Sequence, residues 1–349
     1  MRSKRILIYG ATGYTGKLLA KELICSGVSP ILAARSNKVH QVAKSLDCEA
    51  RVFTLQDAAL RLDDVDILIN VAGPFRISQD LLIRACLQTR THYLDIAGEA
   101  PDIENAARYH KEALDAGITI LPGAGFGVVP TDLLALCASR LIPNPTRLRL
   151  VYQTIGGASR GTLRTVLSDI DKPGVKRVRG SYQKAMPAES FHEDTIGNQS
   201  VKAAYNPWRA DLYTAFVSTG IDNIETYTVF PAPVVKMMQG KLGFFRKILL
   251  KVLLPLLPEG PGTRQLKKGK TLAKVTVNNE YGQEATAEMQ GPEAYVFTVQ
   301  SIIAVIQAMR SSPTGYLTPA QLINEWPKEW PPIKVWCNHG EPMQPAVHG

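Results

Sequence analysis

The sequence predicts an α/β protein: a doubly wound parallel sheet with an inserted α+β domain built on a mostly antiparallel sheet. Three observations predict this fold class. Short apolar runs alternate with helix-like segments over residues 5–132, the pattern of a parallel sheet covered by helices. A turn with three evenly spaced glycines follows the first apolar run. Beyond Pro143 the pattern changes to consecutive strand-like runs, which favours an antiparallel sheet.

The glycine turn comes first in the chain. The apolar run 5–9 leads into it, and the helix-like segment 17–24 follows. The first glycine permits a sharp turn, the second lets a dinucleotide approach the backbone, and the third lets helix and strand pack closely. Backbone N–H groups at the start of the helix then favour a pyrophosphate. The turn therefore predicts a dinucleotide site with the contact residues Gly10, Thr12, Gly13, Tyr14, Thr15 and Gly16.

The end of the second predicted strand, 30–34, indicates which dinucleotide binds. Enzymes that use NAD carry an acidic residue about twenty residues beyond the glycine turn, where it accepts hydrogen bonds from the ribose. Here the position holds Arg35, followed by Ser36 and Lys38. A guanidinium pairs with a 2′-phosphate, which a carboxylate would repel. The sequence favours NADP(H), although a solvent-facing arginine at a strand end would give the same pattern.

The remaining predicted strands of this domain place further residues at the same edge of the sheet. Asp57 follows the third strand, where it could meet the adenine amino group or simply begin a solvated helix. Strands at 65–72, 92–97 and 118–122 come next. Ligands of such sheets bind outside the carboxyl ends of the strands. The loops there add Ala72, Gly73, Pro74, Phe75, Gly98 and Gly125 to the predicted cofactor contacts.

The second domain is predicted from strand-like runs after Pro143. They cover 148–153, 212–218, 223–230, 271–278 and 282–289. Segment 156–162 interrupts them and opens a helix, as either a substrate-contacting loop or a flexible connector. The helix-like segment 293–310 is expected to return to the first domain. The predicted division is a dinucleotide-binding domain, 1–135 with 292–349, and an inserted substrate or capping domain, 136–291.

Composition limits the other functions. A chain of 349 residues is long enough for about two domains. Its five scattered cysteines form no C-x-x-C pair, and no histidine stands at metal-ligand spacing, so we expect reduced thiols and no metal site. The net charge of +9 indicates a basic surface. It needs no specific partner to explain it, and we expect neither a nucleic acid partner nor a flavin.

Segment 244–257 is rich in leucine and isoleucine, with Arg246, Lys247 and Lys251 among the apolar residues. This pattern is typical of an amphipathic helix on a membrane surface. A core-packing or dimer-forming helix would show the same pattern. The short apolar run near the N-terminus is interpreted as the first strand and not as a signal peptide. We therefore expect a cytoplasmic protein, with a peripheral membrane contact or a homodimer contact through 244–257.

Five segments carry a resemblance to the saccharopine dehydrogenase-like oxidoreductases, a family that includes trans-acting enoyl reductases. The similar segments are 10–16, 34–35, 70–75, 93–99 and 125–132, with weaker similarity at 156–165 and 258–261. The resemblance implies a Rossmann-type NADP-binding domain with an inserted mixed-sheet domain. It leaves the substrate open, because the family covers several reactions.

Candidate catalytic residues are Glu99, Asp132, Tyr93 and Arg160, as proton donors or charged clamps. Each has a structural alternative: Glu99 and Asp132 at helix starts, Tyr93 in the core and Arg160 on the surface. The preferred hypothesis is an NADPH-dependent reductase of an activated C=C bond on a hydrophobic small-molecule or carrier-tethered acyl substrate. The alternatives are a saccharopine-type imine reductase or amino-acid dehydrogenase, and a membrane-surface protein that binds NADP without turnover.

Overall fold

The computed structural model describes residues 4–241, 243, 249, 254–309, 313–337 and 342–343. It divides into two units. Unit 1 comprises Met1–Val129 and Thr298–Leu322, and unit 2 comprises Pro130–Phe297 and Ile323–Gly349. The sequence-based division differs from this one chiefly at the C-terminal tail. The tail belongs to unit 2 because its strand at Ile333–Cys337 pairs with the sheet of that unit.

Unit 1 is built on a seven-stranded sheet in which every pair of neighbouring strands is parallel. The strand order is β15-β6-β5-β4-β1-β2-β3. Its strands are β1 Ile6–Tyr9, β2 Ile31–Ala34, β3 Ala50–Val52, β4 Ile67–Asn70, β5 His92–Asp95, β6 Thr119–Leu121 and β15 Gly315–Tyr316. Three of the central strands are buried along their whole length because helices cover both faces.

The helices of unit 1 follow its strands in alternation. They are α1 Tyr14–Cys25, α2 Lys38–Leu46, α3 Phe75–Thr89, α4 Ala100–Ala107 and α5 His110–Ala116, with a 3-10 turn at Ala58–Arg61. The segment between β5 and β6 forms two helices, α4 and α5, which are separated by Arg108 and Tyr109. In the turn from β1 to α1, Gly10 has a positive φ of 95°, which a glycine tolerates.

Unit 2 is built on a ten-stranded mixed sheet. Its strands are β7 Arg147–Ile155, β8 Gly174–Val178, β9 Ser181–Ala185, β10 Phe191–Ile196, β11 Gln199–Tyr205, β12 Asn223–Thr228, β13 Lys270–Asn278, β14 Glu284–Gly291, β16 Ile333–Cys337 and β17 Pro342–Met343. Every pairing is antiparallel except that of β7 with β12. The predicted fold class, a parallel sheet with a second and mostly antiparallel one, is confirmed.

Helices of the second part of the chain are α6 Val129–Ser139, α7 Arg160–Asp169, α8 Asp211–Thr219, α9 Ala232–Met238, α10 Thr263–Lys268, α11 Ala294–Ala308 and α12 Pro319–Ile323. The prediction of a strand at 212–218 is wrong, since these residues form α8. The β-branched and aromatic residues of this segment suggested a strand. Its buried positions, which include Leu212 and Ala215, follow helical spacing instead, and Gly220 ends the helix in the left-handed conformation.

Most of segment 244–257, including its three basic residues, lies outside the described residues, so its predicted amphipathic helix stays a prediction. Leu249 and a 3-10 turn at Leu254–Leu256 are described. Leu249 packs against an apolar cluster that includes Leu167 and Met238. Among the helices described, none is long and apolar enough to cross a membrane.

Candidate functional site

The glycine turn joins β1 to α1, and its backbone packs too tightly for side chains at two positions. A Cβ atom on Gly10 would lie 2.9 Å from the Cβ of Ala72, in the loop after β4. A Cβ atom on Gly16 would lie 2.6 Å from the carbonyl oxygen of Gly10. A Cβ atom on Gly13 would meet only that same oxygen, at 3.3 Å. Gly10 and Gly16 are therefore needed for packing, whereas Gly13 keeps the space before α1 clear.

The N-terminus of α1 is suited to an anion. No side chain caps it, and its first turn carries no acidic residue. The partial positive charge of the helix end therefore faces no anionic group of its own first turn. Gly13, at the N-cap position, is extended, with φ −78° and ψ 169°. This is the strand–turn–helix geometry that a dinucleotide-binding fingerprint requires.

Arg35, Ser36 and Lys38 lie at the carboxyl end of β2 and the start of α2, and all three are exposed. The first turn of α2 contains no acidic residue. Burial raises the pKa of the Tyr9 phenol in β1, and the positive charge of Arg35 partly opposes this rise. Arg35 thus lies near the end of β1, beside the glycine turn. The end of β2 and the start of α2 thus carry two exposed cations and a hydroxyl, and their contact with a 2′-phosphate stays a prediction.

Asp57 precedes the 3-10 turn at Ala58–Arg61 and is exposed. Its Oδ2 accepts a hydrogen bond of 2.7 Å from the hydroxyl of Thr54. This contact fits the interpretation of Asp57 as the start of a short helical turn. Its predicted contact with adenine stays a prediction.

Buried polar side chains connect the ends of β4 and β5, starting from Asn70. Its Oδ1 accepts from the backbone N–H of Ala72 at 3.0 Å, and its Nδ2 donates to Ser78 and to the Tyr93 hydroxyl at 3.0 and 3.1 Å. Ser78 in turn donates to the carbonyl of Ala72 at 3.0 Å. Asn70 and Ser78 therefore fix the loop 72–75, which the sequence placed beside the cofactor.

Asp95, the last residue of β5, continues this network and is fully buried. Its Oδ1 accepts from the backbone N–H groups of Ala97 and Gly123, at 2.9 and 3.0 Å. Its Oδ2 accepts from Gln79 and from the Tyr93 hydroxyl, at 2.8 and 2.9 Å. Burial raises the pKa of Asp95, and the four donors oppose that rise. One carboxylate thereby ties the loop after β5 to the loop after β6.

Sequence reasoning missed Asn70, Gln79 and Asp95 as organisers of the site. A signal was present, because Asn70 and Asp95 are polar residues at the ends of adjacent strands that are otherwise apolar. Tyr93 was predicted as a catalytic candidate. The structure places its side chain in the core, fully buried, with its hydroxyl bonded to Asn70 and Asp95. This geometry fits the structural alternative.

The other loops at this edge differ in accessibility. Gly73 and Gly98 are exposed, and a Cβ atom on Gly98 would meet nothing within 4 Å. Gly125 is buried, and a Cβ atom there would lie 3.3 Å from Ile96. Pro74 and Phe75 are partly buried at the start of α3. Gly73 and Gly98 therefore leave room for a ligand, whereas Gly125 serves packing in this structure.

Glu99 is the exposed N-cap residue of α4. Asp102, in the first turn of the same helix, was not predicted from the sequence. Burial, followed by the negative charges of Glu99 and Asp95, raises the pKa of Asp102 to about 7, against a smaller opposing effect of Arg76. Glu99 and Asp102 thus lie close enough for their charges to interact at the start of α4, and the raised pKa favours the protonated form of Asp102.

The two remaining catalytic candidates lie in unit 2. Asp132 is fully buried in the first turn of α6, and its Oδ2 accepts a 3.0 Å hydrogen bond from Ser218 of α8. Arg160 begins α7; its backbone N–H donates to the carbonyl of Glu259, and its guanidinium lies 3.7 Å from the carboxylate of Glu259. Both contacts fit the structural alternatives. Catalytic roles for these residues stay predictions.

Metal and cysteine chemistry have no visible centre in the part of the chain that the structure describes. No three His, Cys, Asp or Glu side chains there are grouped so that they could hold a metal ion. The five cysteines are free. Burial raises the pKa of the Cys86 thiol strongly, which keeps it protonated and unreactive.

Comparison with known protein families gives a match for unit 1. Residues 6–121 match the family model described as the saccharopine dehydrogenase NADP binding domain. The match covers 116 of the 349 residues, about a third of the chain, and lies within unit 1. The resemblance predicted from the glycine turn and the loops after β4 and β5 is confirmed, and the matched residues include Asn70 and Asp95, whereas Gly123 lies just beyond them.

Individual relatives are similar over part of the chain. A trans-acting enoyl reductase of Mycobacterium tuberculosis is 33% identical over 143 residues, which cover 37% of this chain and 34% of the relative. A lipid droplet localized protein of Caenorhabditis elegans is 26% identical over 146 residues, with 37% and 34% covered. The matched region thus spans about a third of the length of each relative.

A solved structure extends the likeness to the second unit. Apo saccharopine dehydrogenase (L-Glu forming) of Saccharomyces cerevisiae superposes with a TM-score of 0.65 and covers 96% of this chain and 100% of that one, at 11% identity. At this identity the likeness concerns the fold alone. It confirms the predicted α/β fold class for nearly the whole chain.

The residues at the site fit a bound NADP(H). Gly13 keeps the approach to the α1 N-terminus open, and two cations at the end of β2 are available for a 2′-phosphate. When bound, the dinucleotide supplies a hydride, whereas the protein binds and orients it.

Proposed function

We propose that this protein is an NADPH-dependent reductase of an activated C=C bond in an acyl substrate. Support comes from the NADP-type domain with its cations at the end of β2, and from the enoyl reductase among its relatives. The overall reaction adds a hydride and a proton across the double bond: an enoyl thioester, NADPH and a proton give the saturated thioester and NADP⁺.

This chain would supply three kinds of groups to the reaction. The N-terminus of α1 binds the pyrophosphate, and Arg35 with Lys38 binds the 2′-phosphate. The loops held by Asn70 and Asp95 position the nicotinamide end. The carboxyl pair Glu99 and Asp102 lies beside these loops, and a protonated member of the pair is a source for the proton that the reduced carbon needs.

The single observation on which this proposal rests is the basic end of β2 beside an uncapped glycine turn. Its first test is calorimetric titration with NADPH and NADH, with tighter binding of NADPH expected. The second test follows NADPH consumption with a panel of enoyl thioesters of increasing chain length. A protein that binds neither dinucleotide, or that turns over an imine while leaving every enoyl thioester unchanged, would refute it.

Imine reduction on an amino-acid substrate is the alternative, and it would require arginines free to clamp carboxylates. Two buried arginines of unit 2 are instead held by the protein. Arg177 donates to the carbonyls of Leu212 and Gly180, both at 2.7 Å, and lies over the Phe216 ring at 4.0 Å. Arg209 forms a 2.7 Å ion pair with Asp211. This engagement favours the C=C reductase over the imine reductase.

A further inference from the structure

An exposed surface of unit 2 combines leucine side chains with a run of cations. It lies on the 3-10 turn at Leu254–Leu256, on α10 and at the start of β13. Leu256 is 78% exposed and Leu257 is 39% exposed, which is unusual for side chains of this size. Arg264, Lys267, Lys268 and Lys270 are all exposed. We refer to these six residues as the basic–apolar patch.

Two neighbouring elements, β7 and α7, also carry exposed apolar side chains. Lys270 is the residue paired with Ile155 across β13 and β7, and Ile155 is 41% exposed. The 3-10 turn packs against α7, where Val166 is exposed to the same extent. Two more exposed apolar side chains therefore lie on elements that pair with β13 or contact the 3-10 turn.

Acidic residues do not neutralise the patch. The stretch 254–270 contains one acidic residue, Glu259, whose carboxylate lies 3.7 Å from the guanidinium of Arg160. Glu293, which lies close to Gly269, is almost completely buried and uses one oxygen to accept from the backbone N–H groups of Tyr295 and Val296. The four exposed cations therefore outnumber the one acidic residue of their own stretch, and that residue lies within ion-pair distance of Arg160.

We propose that the basic–apolar patch docks unit 2 onto an anionic phospholipid surface. Leucines that project from a short turn can enter the boundary between headgroups and acyl chains, while lysines and arginines pair with lipid phosphates. The charge complementarity selects this occupant, because a neutral surface would leave four cations unpaired. An acidic carrier protein would share the charge but belongs to another class of partner, which the experiment separates.

The docking goes beyond the proposed reductase activity and is independent of it. It would bring a protein that handles acyl substrates to the surface where such substrates partition, yet vesicle binding needs no turnover. NADPH affinity, measured on every variant below, therefore reports the proposed function separately, because the patch contains none of the predicted cofactor contacts.

The experiment measures flotation of the full chain with vesicles of phosphatidylcholine, alone or with phosphatidylserine. We expect at least tenfold tighter binding to the anionic vesicles, and a loss of binding as salt is raised. The double variant Lys267→Glu/Lys268→Glu should weaken this binding at least tenfold, since each cation contributes about fivefold. The control variant Lys328→Glu/Lys334→Glu makes the same change in net charge at exposed positions on other elements and should stay within twofold of wild type.

Leu256→Ser keeps every charge and removes the most exposed apolar side chain of the patch, so it should weaken anionic vesicle binding severalfold. It also guards against a folding effect of the charge reversals at the end of α10. Failure of the wild-type chain to bind anionic vesicles would overturn the proposal. Equal losses of vesicle binding in the patch and control variants would overturn it too. A wild-type chain that binds an acidic acyl carrier protein but not vesicles, with this binding lost in the patch variants, would also overturn it.

Discussion

Replacing Asp95 by Asn tests whether one carboxylate holds the cofactor edge of unit 1 together. The asparagine Oδ1 can still accept from the N–H groups of Ala97 and Gly123. Its Nδ2 group then faces two donors, Gln79 and the Tyr93 hydroxyl, where the carboxylate accepted from both. Gln79 cannot simply turn its amide, because its Oε1 already accepts from Asn105 at 3.2 Å.

The size of the effect follows from these contacts. Two hydrogen bonds to a charged group are lost, each worth about 1.5–3 kcal/mol, and at least one buried donor stays unpaired. Relief of the buried negative charge offsets part of this loss, because burial raises the pKa of Asp95. We expect a net destabilisation of about 2–4 kcal/mol. For a chain of 349 residues, this lowers the melting temperature by roughly 3–6 °C, since the entropy of unfolding is about 2.1 cal/mol/K per residue.

The assay is thermal unfolding by circular dichroism, together with NADPH titration. NADPH affinity should fall as well, because the loops after β5 and β6 lose their common anchor. The control Asp57→Asn removes an exposed carboxylate with a single hydrogen bond from Thr54, and it should change stability by less than about 0.5 kcal/mol. A melting temperature for Asp95→Asn within one or two degrees of wild type would refute the reasoning.

Three further predictions concern the same unit. Arg35→Glu should lower the preference for NADPH over NADH at least tenfold in calorimetric titrations, because it replaces a charge-assisted contact with repulsion. The control is Arg164→Glu, a charge reversal at another exposed arginine. An unchanged preference in Arg35→Glu would show that Arg35 does not bind the 2′-phosphate. Gly16→Ala places a Cβ 2.6 Å from the Gly10 carbonyl oxygen and should disrupt the glycine turn, so NADPH binding is lost. The control Gly262→Ala, at a glycine with φ −76° where the added Cβ meets no atom within 4 Å, should retain it. In denaturant titrations, the free energy of unfolding of Asp102→Asn should equal that of wild type at pH 4 and exceed it at pH 8 by at most about 4 kcal/mol. The same pH dependence in both proteins would contradict this prediction.

The sign of the Asp102 effect follows from its raised pKa. The folded chain binds this proton more tightly than the unfolded chain does, since its pKa rises from 3.8 to about 7 on folding. The contribution to stability is therefore present below the unfolded pKa and is lost as the pH rises through the folded value. Partial exposure of Asp102 reduces the size of the effect but does not change its direction.

The glycine turn and the alternating strands could be predicted from sequence because local rules decide them. Gly10 and Gly16 are glycines for reasons that lie within the turn and its nearest loop. Arg35 could be singled out because its distance from the turn is set by one strand–helix–strand unit. These features need no knowledge of distant contacts.

The two edge hairpins of unit 2 were missed because their faces are mostly polar. The strand 191–196 alternates exposed and partly buried residues and has little apolar character. Its turn at Gly197 and Asn198, both with positive φ, was a usable signal. Helix α8 was mistaken for a strand because residues such as Tyr213 and Val217 favour strands, whereas packing against β12 and β8 decides in favour of the helix.

The polar network could not be derived from sequence, because its members are brought together only by the register of β4 and β5, which pairs Asn70 with Asp95. Gln79 joins them from α3, and its position depends on how that helix packs. Sequence spacing alone gives none of these distances. The role of Gln79 can therefore be recognised only in the structure, whereas the polar strand ends at Asn70 and Asp95 were a signal in the sequence.

The hydrogen bonds of Asn70 have a consequence for the thermodynamics of ligand binding. They hold the peptide groups of the loop after β4 through protein partners alone, on both the N–H and the carbonyl side of Ala72. A loop that is already ordered loses little conformational entropy when a ligand arrives. The affinity for a dinucleotide should therefore depend on direct contacts, because ordering the loop after β4 costs little free energy on binding.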